Sequence, residues 1–333
     1  MAEQAINSKP QGDAWRKPLR GLVYIGAAGA VLGSITPFMP ISALLTDLPS
    51  HFAAYYFIGL FFLAALAAAA LPLDFSPRAH KAVWGALALG FALNTWTLAP
   101  YYLPAPKTKP ATSFKILQAN VLFLNQDTDA LQKLIAAENP DVIALSEINA
   151  AHAAFLKKLA AAYPHYLIEP SRDARGLAFL SRLPTLAIKR VSFADASVPA
   201  HVATLDINEH TVRILSLHPR TPLHGLALRD ADFAAITKEF SAHKDTPLVV
   251  TGDFNATPWC PALKKLKTGL SLTDARNGYG LNGTWPVWLP APLRLPIDHV
   301  LVSEKISVQG YKLAPATGSD HLPTVAVLSL RTD

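Results

Sequence analysis

Two kinds of apolar spacing divide the chain. Up to about residue 100 apolar positions run on with little interruption, whereas beyond residue 112 they come in short bursts separated by polar turns. Phe52 to Leu71 is a stretch of twenty residues without a charge, long enough to cross a hydrocarbon core of about 30 Å as a helix. Ala82 to Ala99 is a second uncharged run, with Asn94, Thr95 and Thr97 inside it and Trp84 and Trp96 near its ends. Gly21 to Leu45 is a third, which Pro37 and Pro40 must kink or end. A buried helical hairpin is the competing reading, but uncharged stretches of this length are the membrane signature. A cleaved signal is the competing reading of the Gly21–Leu45 run, yet no small-residue cleavage site stands out and two more apolar runs follow it. The expectation is three transmembrane helices within residues 21–99, behind a tail of residues 1–20.

Residues 100–111 hold Pro100, Pro104, Pro106 and Pro110, a composition that favours a stiff, extended spacer. In the rest of the chain, residues 112–333, short apolar strands alternate with amphipathic helices. Strands are expected at Phe114–Ala119, Val142–Ser146, Leu177–Leu180, Thr185–Lys189, Val202–Ile207, Val212–Leu217, Leu248–Thr251, Ile297–Val302, Val308–Leu313 and Thr324–Leu330. Helices are expected at Thr128–Glu138, Ala150–Ala161 and Leu226–His243. Strands outnumber helices and are often hairpin-spaced, which points to an α/β sandwich of two sheets rather than a doubly wound parallel sheet.

Composition changes this picture in two places. Hydrophobic residues make up 51% of the chain and mean hydropathy is +0.24, which suits a chain partly in lipid. Residues 1–110 carry 8 Lys/Arg against 4 Asp/Glu, and the remainder 22 against 20. The basicity therefore surrounds the apolar runs, and the larger domain lacks the footprint of a strong nucleic-acid binder. Lys9, Arg16, Lys17 and Arg20 precede the Gly21–Leu45 run, Arg78 and Lys81 separate Phe52–Leu71 from Ala82–Ala99, and the expected loop between Gly21–Leu45 and Phe52–Leu71, Thr46 to His51, holds no Lys or Arg. By the positive-inside rule the N-terminus is cytoplasmic and everything after residue 100 lies on the outer side, Lys107 and Lys109 weighing against it. The single cysteine, Cys260, excludes an internal disulfide and a Cys-rich metal site.

Candidate chemistry gathers where apolar runs stop. Leu248–Thr251 runs into Gly252-Asp253-Phe254-Asn255, which sets a carboxylate and a carboxamide two residues apart before Pro258. Period-two spacing puts both on one side of the strand's carboxyl end, although an Asp/Asn turn explains the stretch equally well. The other strands repeat the theme: one ends at Asn120, one at Glu147, one at His218, one begins Ile297-Asp298-His299, and Ser319-Asp320-His321 precedes the last. A two-sheet sandwich can bring such ends together.

In that order, these residues resemble the DNase I-like endonuclease/exonuclease/phosphatase superfamily over roughly residues 112–330. Apolar helices placed ahead of the domain resemble a bacterial membrane-anchored branch of it. The resemblance implies a four-layer α/β sandwich, two mixed sheets flanked by helices, preceded here by transmembrane helices. It implies cleavage of phosphoester bonds with Mg²⁺, or Mn²⁺ in its place. Glu147 would be the principal metal ligand, with Asn120 and Asp320 close by. Asp253 would orient or deprotonate the attacking water, Asn255 hold a phosphoryl oxygen, and His321 donate to the phosphate with Asp298 orienting its ring. His218 matches the histidine of the nuclease and sphingomyelinase branches.

The implied protein is multi-pass in a bacterial inner membrane, with its catalytic domain facing the periplasm or exterior. Its substrate is a phosphoester, nucleic acid or phospholipid head group, and no protein partner is inferred. A phospholipase C- or sphingomyelinase-like lipid phosphodiesterase is the alternative enzyme, and an inactive membrane-bound scaffold the alternative class. Completeness of the metal and acid/base set separates the last two, and no gap in it is visible. His299 is expected to be packed or solvated. Arg172, Arg175, Arg220 and Arg229 are expected as surface charges, Trp259, Trp285 and Trp288 as core, and Asp245 and Asp274 as loop acids without a role.

Overall fold

A computed structural model describes residues 16–70, 76–104 and 112–331. Ahead of the sandwich lie α1 (Arg16–Ile35), α2 (Leu44–Ser50), α3 (Ala53–Ala70) and α4 (Pro77–Tyr102). Pro37 and Pro40 act as expected on the first apolar run: it ends at Ile35, passes through a 3₁₀ turn at Thr36–Phe38, and does not reach Leu45 as a helix. The expected loop at Thr46–His51 is instead mostly helix. α2 meets α3 in an elbow of 69°. α1, α3 and α4 pack together through Val23, Ala27, Leu60 and Leu87. Asn94 Nδ2 on α4 donates to Ser34 Oγ on α1 at 2.7 Å, a polar link between helices whose packed core is apolar. The outward positions are apolar too, among them Ile25, Leu32, Phe62 and Trp96. α4 continues through Pro100 to Tyr102, so the proline-rich segment begins as helix; its residues 105–111 lie outside the described residues, as do the tail up to residue 15 and Leu71.

The sandwich holds β1 (Ser113–Asn120), α5 (Asp129–Glu138), β2 (Val142–Ser146), α6 (Ala150–Lys157), β3 (His165–Glu169), β4 (Leu177–Ser181), β5 (Thr185–Val191), β6 (Ala200–Ile207) and β7 (His210–Leu217). It continues with α7 (Pro222–Ser241), β8 (Leu248–Asp253), α8 (Pro261–Gly269), β9 (Leu272–Asp274), β10 (Asp298–Ser303), β11 (Ile306–Leu313) and β12 (Thr324–Leu330). All ten expected strands form. β3, β9 and α8 were not legible: β3 is half-buried apart from an exposed Tyr166 and β9 is three residues long, so neither strand shows a clean apolar period.

One sheet runs β11-β12-β1-β2-β4-β3 and the other β5-β6-β7-β8-β10-β9. The two have the same plan. In each, the central pair is parallel, β1 with β2 and β7 with β8, and every other pairing is antiparallel. A helix, α5 or α7, makes each parallel crossover, as such a connection requires. The inner faces meet through Phe114, Ile116, Phe179, Ile214, Val249 and Val300. α5 and α6 cover one outer face through Leu131, Leu134 and Phe155, and α7 and α8 cover the other through Phe233, Ile236 and Leu263. The result is the expected four-layer sandwich.

This plan positions the site. Parallel strands bring their carboxyl ends to one edge, so β1, β2, β7 and β8 deliver Asn120, Glu147, His218 and Asp253 there. β10 and β12 are antiparallel to their neighbours, so their amino ends arrive at that same edge, carrying Asp298 and His321. In register, Asn120 pairs with Ser146 and Asp298 with Asp253.

Candidate active site

Gly252 makes the β7–β8 contact close enough to build the centre of the site. Its φ is +142°, and a Cβ there would sit 1.9 Å from Leu217 O on the neighbouring strand. The strand, expected over Leu248–Thr251, continues through this glycine to Asp253. Two further site residues sit in the left-handed region, Glu147 at φ +59° and Asn255 at φ +49°. Such backbone costs roughly 1–3 kcal/mol for a residue other than glycine. At Glu147 it turns the side chain inward just past β2. Asn149 holds the turn, accepting from His152 N at 3.0 Å and donating to Phe123 O at 2.9 Å and Asn125 O at 2.6 Å. Asn255 N donates to Asp253 Oδ1 at 2.8 Å. The Asp/Asn turn and the shared side are thus both real.

Asp253 is the hub. Its Oδ2 accepts from Asn120 Nδ2 at 3.0 Å, and lies 3.3 Å from His218 Nε2 and 3.7 Å from His321 Nε2. Asn120 Nδ2 also donates to Glu147 Oε1 at 2.8 Å, so one carboxamide bridges two carboxylates. His218 Nδ1 donates to Ala174 O at 2.9 Å, which aims Nε2 at Asp253 and at Glu147 Oε1, 3.7 Å away. Asn255 Nδ2 donates to Pro219 O at 2.9 Å and lies 3.2 Å from His218 Nε2. His321 Nδ1 donates to Asp298 Oδ2 at 2.8 Å.

The charges follow from these partners. Burial disfavours a charged His321, but Asp298 and Asp253 outweigh it and push the imidazole up to about 10. Burial also opposes charge at His218, and the bond to Asp253 more than compensates, raising it. Burial would lift Asp253, yet His321 and His218 hold its carboxyl below the usual carboxylate range. The hub is thus an anion between His321, held cationic at neutral pH, and His218, whose charged form the same carboxylate favours.

Behind Asp298 stands a chain that the sequence reading missed. Gln118 Nε2 donates to Asp298 Oδ1 at 2.9 Å, and Thr324 Oγ1 donates to Gln118 Oε1 at 2.9 Å. A signal was present: Gln118 and Asn120 share one face of a strand that is otherwise apolar there. Asp320 lines the same cleft but accepts from Trp285 Nε1 at 2.9 Å. Among the described residues, ligand atoms within 4.8 Å of one another are those of Glu147, His218 and Asp253, and those of Asp253, Asp298 and His321. Asp320 is in neither set. Two carboxylates side by side, Asp253 buried and Glu147 half-buried, share one amide and suit a hard divalent cation, so this donor set fits such an ion at Glu147 and Asp253.

Several other residues differ from expectation. Arg229 is fully buried, as is its partner Asp47, with Nη2 to Oδ1 at 2.7 Å; it is no surface charge. Asp274 is likewise no loop acid. It is buried at the end of β9 against Arg276 and His299. His299 is packed, its Nε2 donating to Ala256 O at 2.8 Å. Arg175 and Arg220 pair with Asp173 and Asp195. Trp259 is core, against Tyr101, but Trp285 lines the cleft and Trp288 is 69% exposed. Cys260 is buried, which pushes its thiol up to about 12.

The sequence profile described as the Endonuclease/Exonuclease/phosphatase family matches residues 117–321. A comparison with curated proteins finds no match. Among solved structures, an endonuclease/exonuclease/phosphatase from Bacteroides vulgatus is similar at 18% identity and a TM-score of 0.57, covering 66% of this chain and 100% of its own. The human Nocturnin catalytic domain with bound sulfate has 19% identity and a TM-score of 0.56, covering 66% and 95%. Humanized TDP2 from D. rerio has 16% identity and a TM-score of 0.55, covering 65% and 99%. At these identities the structures show the fold.

Proposed function

The chain belongs to the Endonuclease/Exonuclease/phosphatase family, and from that premise we propose that it is a membrane-anchored, divalent-metal-dependent hydrolase of phosphoester bonds. The observation that carries this reading is the convergence on Asp253 of Asn120, Glu147, His218, Asn255 and the Asp298–His321 pair, from both sheets. Mg²⁺ or Mn²⁺, held by Glu147 with Asn120 and Asp253 beside it, would supply charge neutralisation at the phosphoryl oxygens. Asp320, expected close to the ion, shares the cleft but accepts from Trp285.

The protein groups divide the remaining work. Asp253 offers a fixed negative acceptor rather than basicity, because two imidazoles stabilise its anion; it orients the attacking water. His321, held cationic by Asp298, donates a proton or hydrogen bond where charge develops on phosphate oxygens. Asn255 Nδ2 and His218 Nε2 face the same space and can hold a phosphoryl oxygen.

Membrane anchoring is supported by α1 and α4, each long and apolar enough to cross, and by the bent α2–α3 pair as a third span. Three crossings put the α2 elbow and the sandwich on the same side, and the two are in contact through Asp47 and Arg229. With the Lys/Arg bias, that side is the outer one. A crystal structure of D. rerio TDP2 holds a single-strand DNA product; here the near-neutral domain argues against a long polyanion.

The test is hydrolysis by the purified full chain in mild detergent of bis(p-nitrophenyl) phosphate, DNA, phospholipid and sugar phosphates. Turnover of at least one with Mg²⁺ or Mn²⁺, abolished by EDTA and restored by the metal, is expected. Metal-independent turnover, or none on any substrate, would refute the proposal.

A further inference from the structure

The catalytic cleft is not walled by the sandwich alone. Leu48, His51 and Phe52 of the α2–α3 elbow line the same cavity of about 580 Å³ as Glu147, Asp253 and His321. The elbow is bolted to the loop that carries Asp253 and Asn255. Thr257 N donates to His51 Nδ1 at 3.1 Å, so that nitrogen is the acceptor, and Nε2 then donates to Asp47 Oδ2 at 3.1 Å. Asp47 in turn holds Arg229. An accidental contact would not bury four such groups; Asp47 and Arg229 are both 0% exposed.

A second observation concerns the rim. From the end of α1 to the elbow the chain exposes Phe38, Met39, Ile41, Leu44 and Leu45, the last by 88%. On the sandwich side of the cleft, Leu223 at the start of α7 is 70% exposed. Contiguous exposed apolar surface of this kind marks a binding or membrane-contacting face. It lies where α1 ends, at the level where a spanning helix would leave the bilayer. The arginines beside the cleft, Arg175 and Arg220, are neutralised by Asp173 and Asp195, so they form no track for a polyanion.

Resting on the hydrolase reading above, we propose that the elbow is the substrate-selecting wall of the active site, and that it selects phosphoesters carrying an apolar chain presented by the bilayer. The phosphate meets Asn255, His218 and His321 beside the water that Asp253 orients, and the chain lies along Leu48, Phe52 and Leu223. Water adds to phosphorus, the bond from phosphorus to the leaving alcohol oxygen breaks, and that oxygen takes up a proton; water is the only co-reactant. The membrane segment thereby contributes specificity as well as attachment.

The test uses the full chain in nanodiscs with Mg²⁺ or Mn²⁺ and two esters sharing one leaving group, p-nitrophenyl dodecyl phosphate and p-nitrophenyl ethyl phosphate. The expected kcat/KM is at least tenfold higher for the dodecyl ester. Leu48→Gln and Phe52→Gln should cut that ratio at least fivefold, Phe52→Leu should restore most of it, and Leu186→Gln, on an exposed strand position away from the cleft, should leave it unchanged. Equal or faster turnover of the ethyl ester would overturn the inference while the hydrolase reading stands. So would a ratio untouched by the elbow variants, since partition into the bilayer would then explain it, or equal loss on both esters. Failure to hydrolyse either ester by a chain that turns over bis(p-nitrophenyl) phosphate, DNA or a sugar phosphate would overturn this inference alone, whereas failure on every substrate would remove the hydrolase reading with it.

Discussion

Asp274→Asn tests whether an acid outside the site supports it from behind. Asp274 Oδ1 accepts from Arg276 Nε and Arg276 N, both at 3.1 Å, and its Oδ2 lies 3.2 Å from His299 Nδ1. Asp274, Arg276 and His299 are each no more than 2% exposed. Arg276 Nη2 donates to the Asp298 carbonyl, while among the described residues Nη1 has no partner. Neutralising Asp274 would leave a buried guanidinium nearly uncompensated, a loss of about 3–5 kcal/mol; because Asn can still accept from Arg276, the lower end is expected. With a urea m-value of about 3 kcal/mol/M for a domain of this size, the midpoint should fall by about 1 M. Burial would raise the Asp274 carboxyl, but Arg276 and His299 hold it well below the usual carboxylate range. Its stabilisation is therefore full above the ordinary value of about 3.9 and fades as pH falls toward the depressed one, so the gap between wild type and variant should begin to narrow below about pH 4 and go on narrowing as the solution is made more acid. Tryptophan fluorescence of the full chain in detergent during urea titration reads the midpoint. Because Arg276 holds the backbone of Asp298, kcat should fall as well, and Asp274→Leu with Arg276→Met should recover stability relative to Asp274→Asn. A midpoint shift below about 0.2 M, or strictly additive effects of Asp274 and Arg276 substitutions, would refute the reasoning.

Further outcomes follow from the same geometry. Glu147→Gln should lower kcat by about 10²–10⁴ and weaken Mn²⁺ binding by calorimetry with the fold retained; near-normal metal-dependent turnover would displace the metal from Glu147. Asp253→Asn and His321→Ala should each abolish turnover more than substrate binding, and the double variant should be little worse than either alone. Multiplying losses would mean that they do not act as a unit. Asp298→Asn should cost less, about 10²-fold in kcat, through a mispositioned imidazole, with KM nearly unchanged. A reporter active only outside the cytoplasm should work when fused after Pro110 and stay silent near Pro77; the reverse pattern would overturn the outward orientation.

What the sequence determined by itself was local. Apolar bursts such as Val142–Ser146 and Thr324–Leu330 have the length and composition of buried strands whatever surrounds them, and Pro37 ends the first apolar run as a helix at Ile35, although Pro49 and Pro100 are accommodated inside α2 and α4. The polar residues that close those strands were equally legible, because a sandwich has few other uses for Asn120, Glu147 and Asp253 at buried strand ends. Tertiary structure decided everything whose meaning lies in a partner far along the chain. Thr46–His51 looked like a plain loop because the groups that bury Asp47 and His51, Arg229 and Thr257, are 182 and 206 residues away. Asp274 looked solvated because β9 is only three residues long and Leu301, which it pairs with, lies on a later strand. A charge in a folded chain takes its energy from desolvation and from the ion facing it, and no spacing within one segment records which ion that will be.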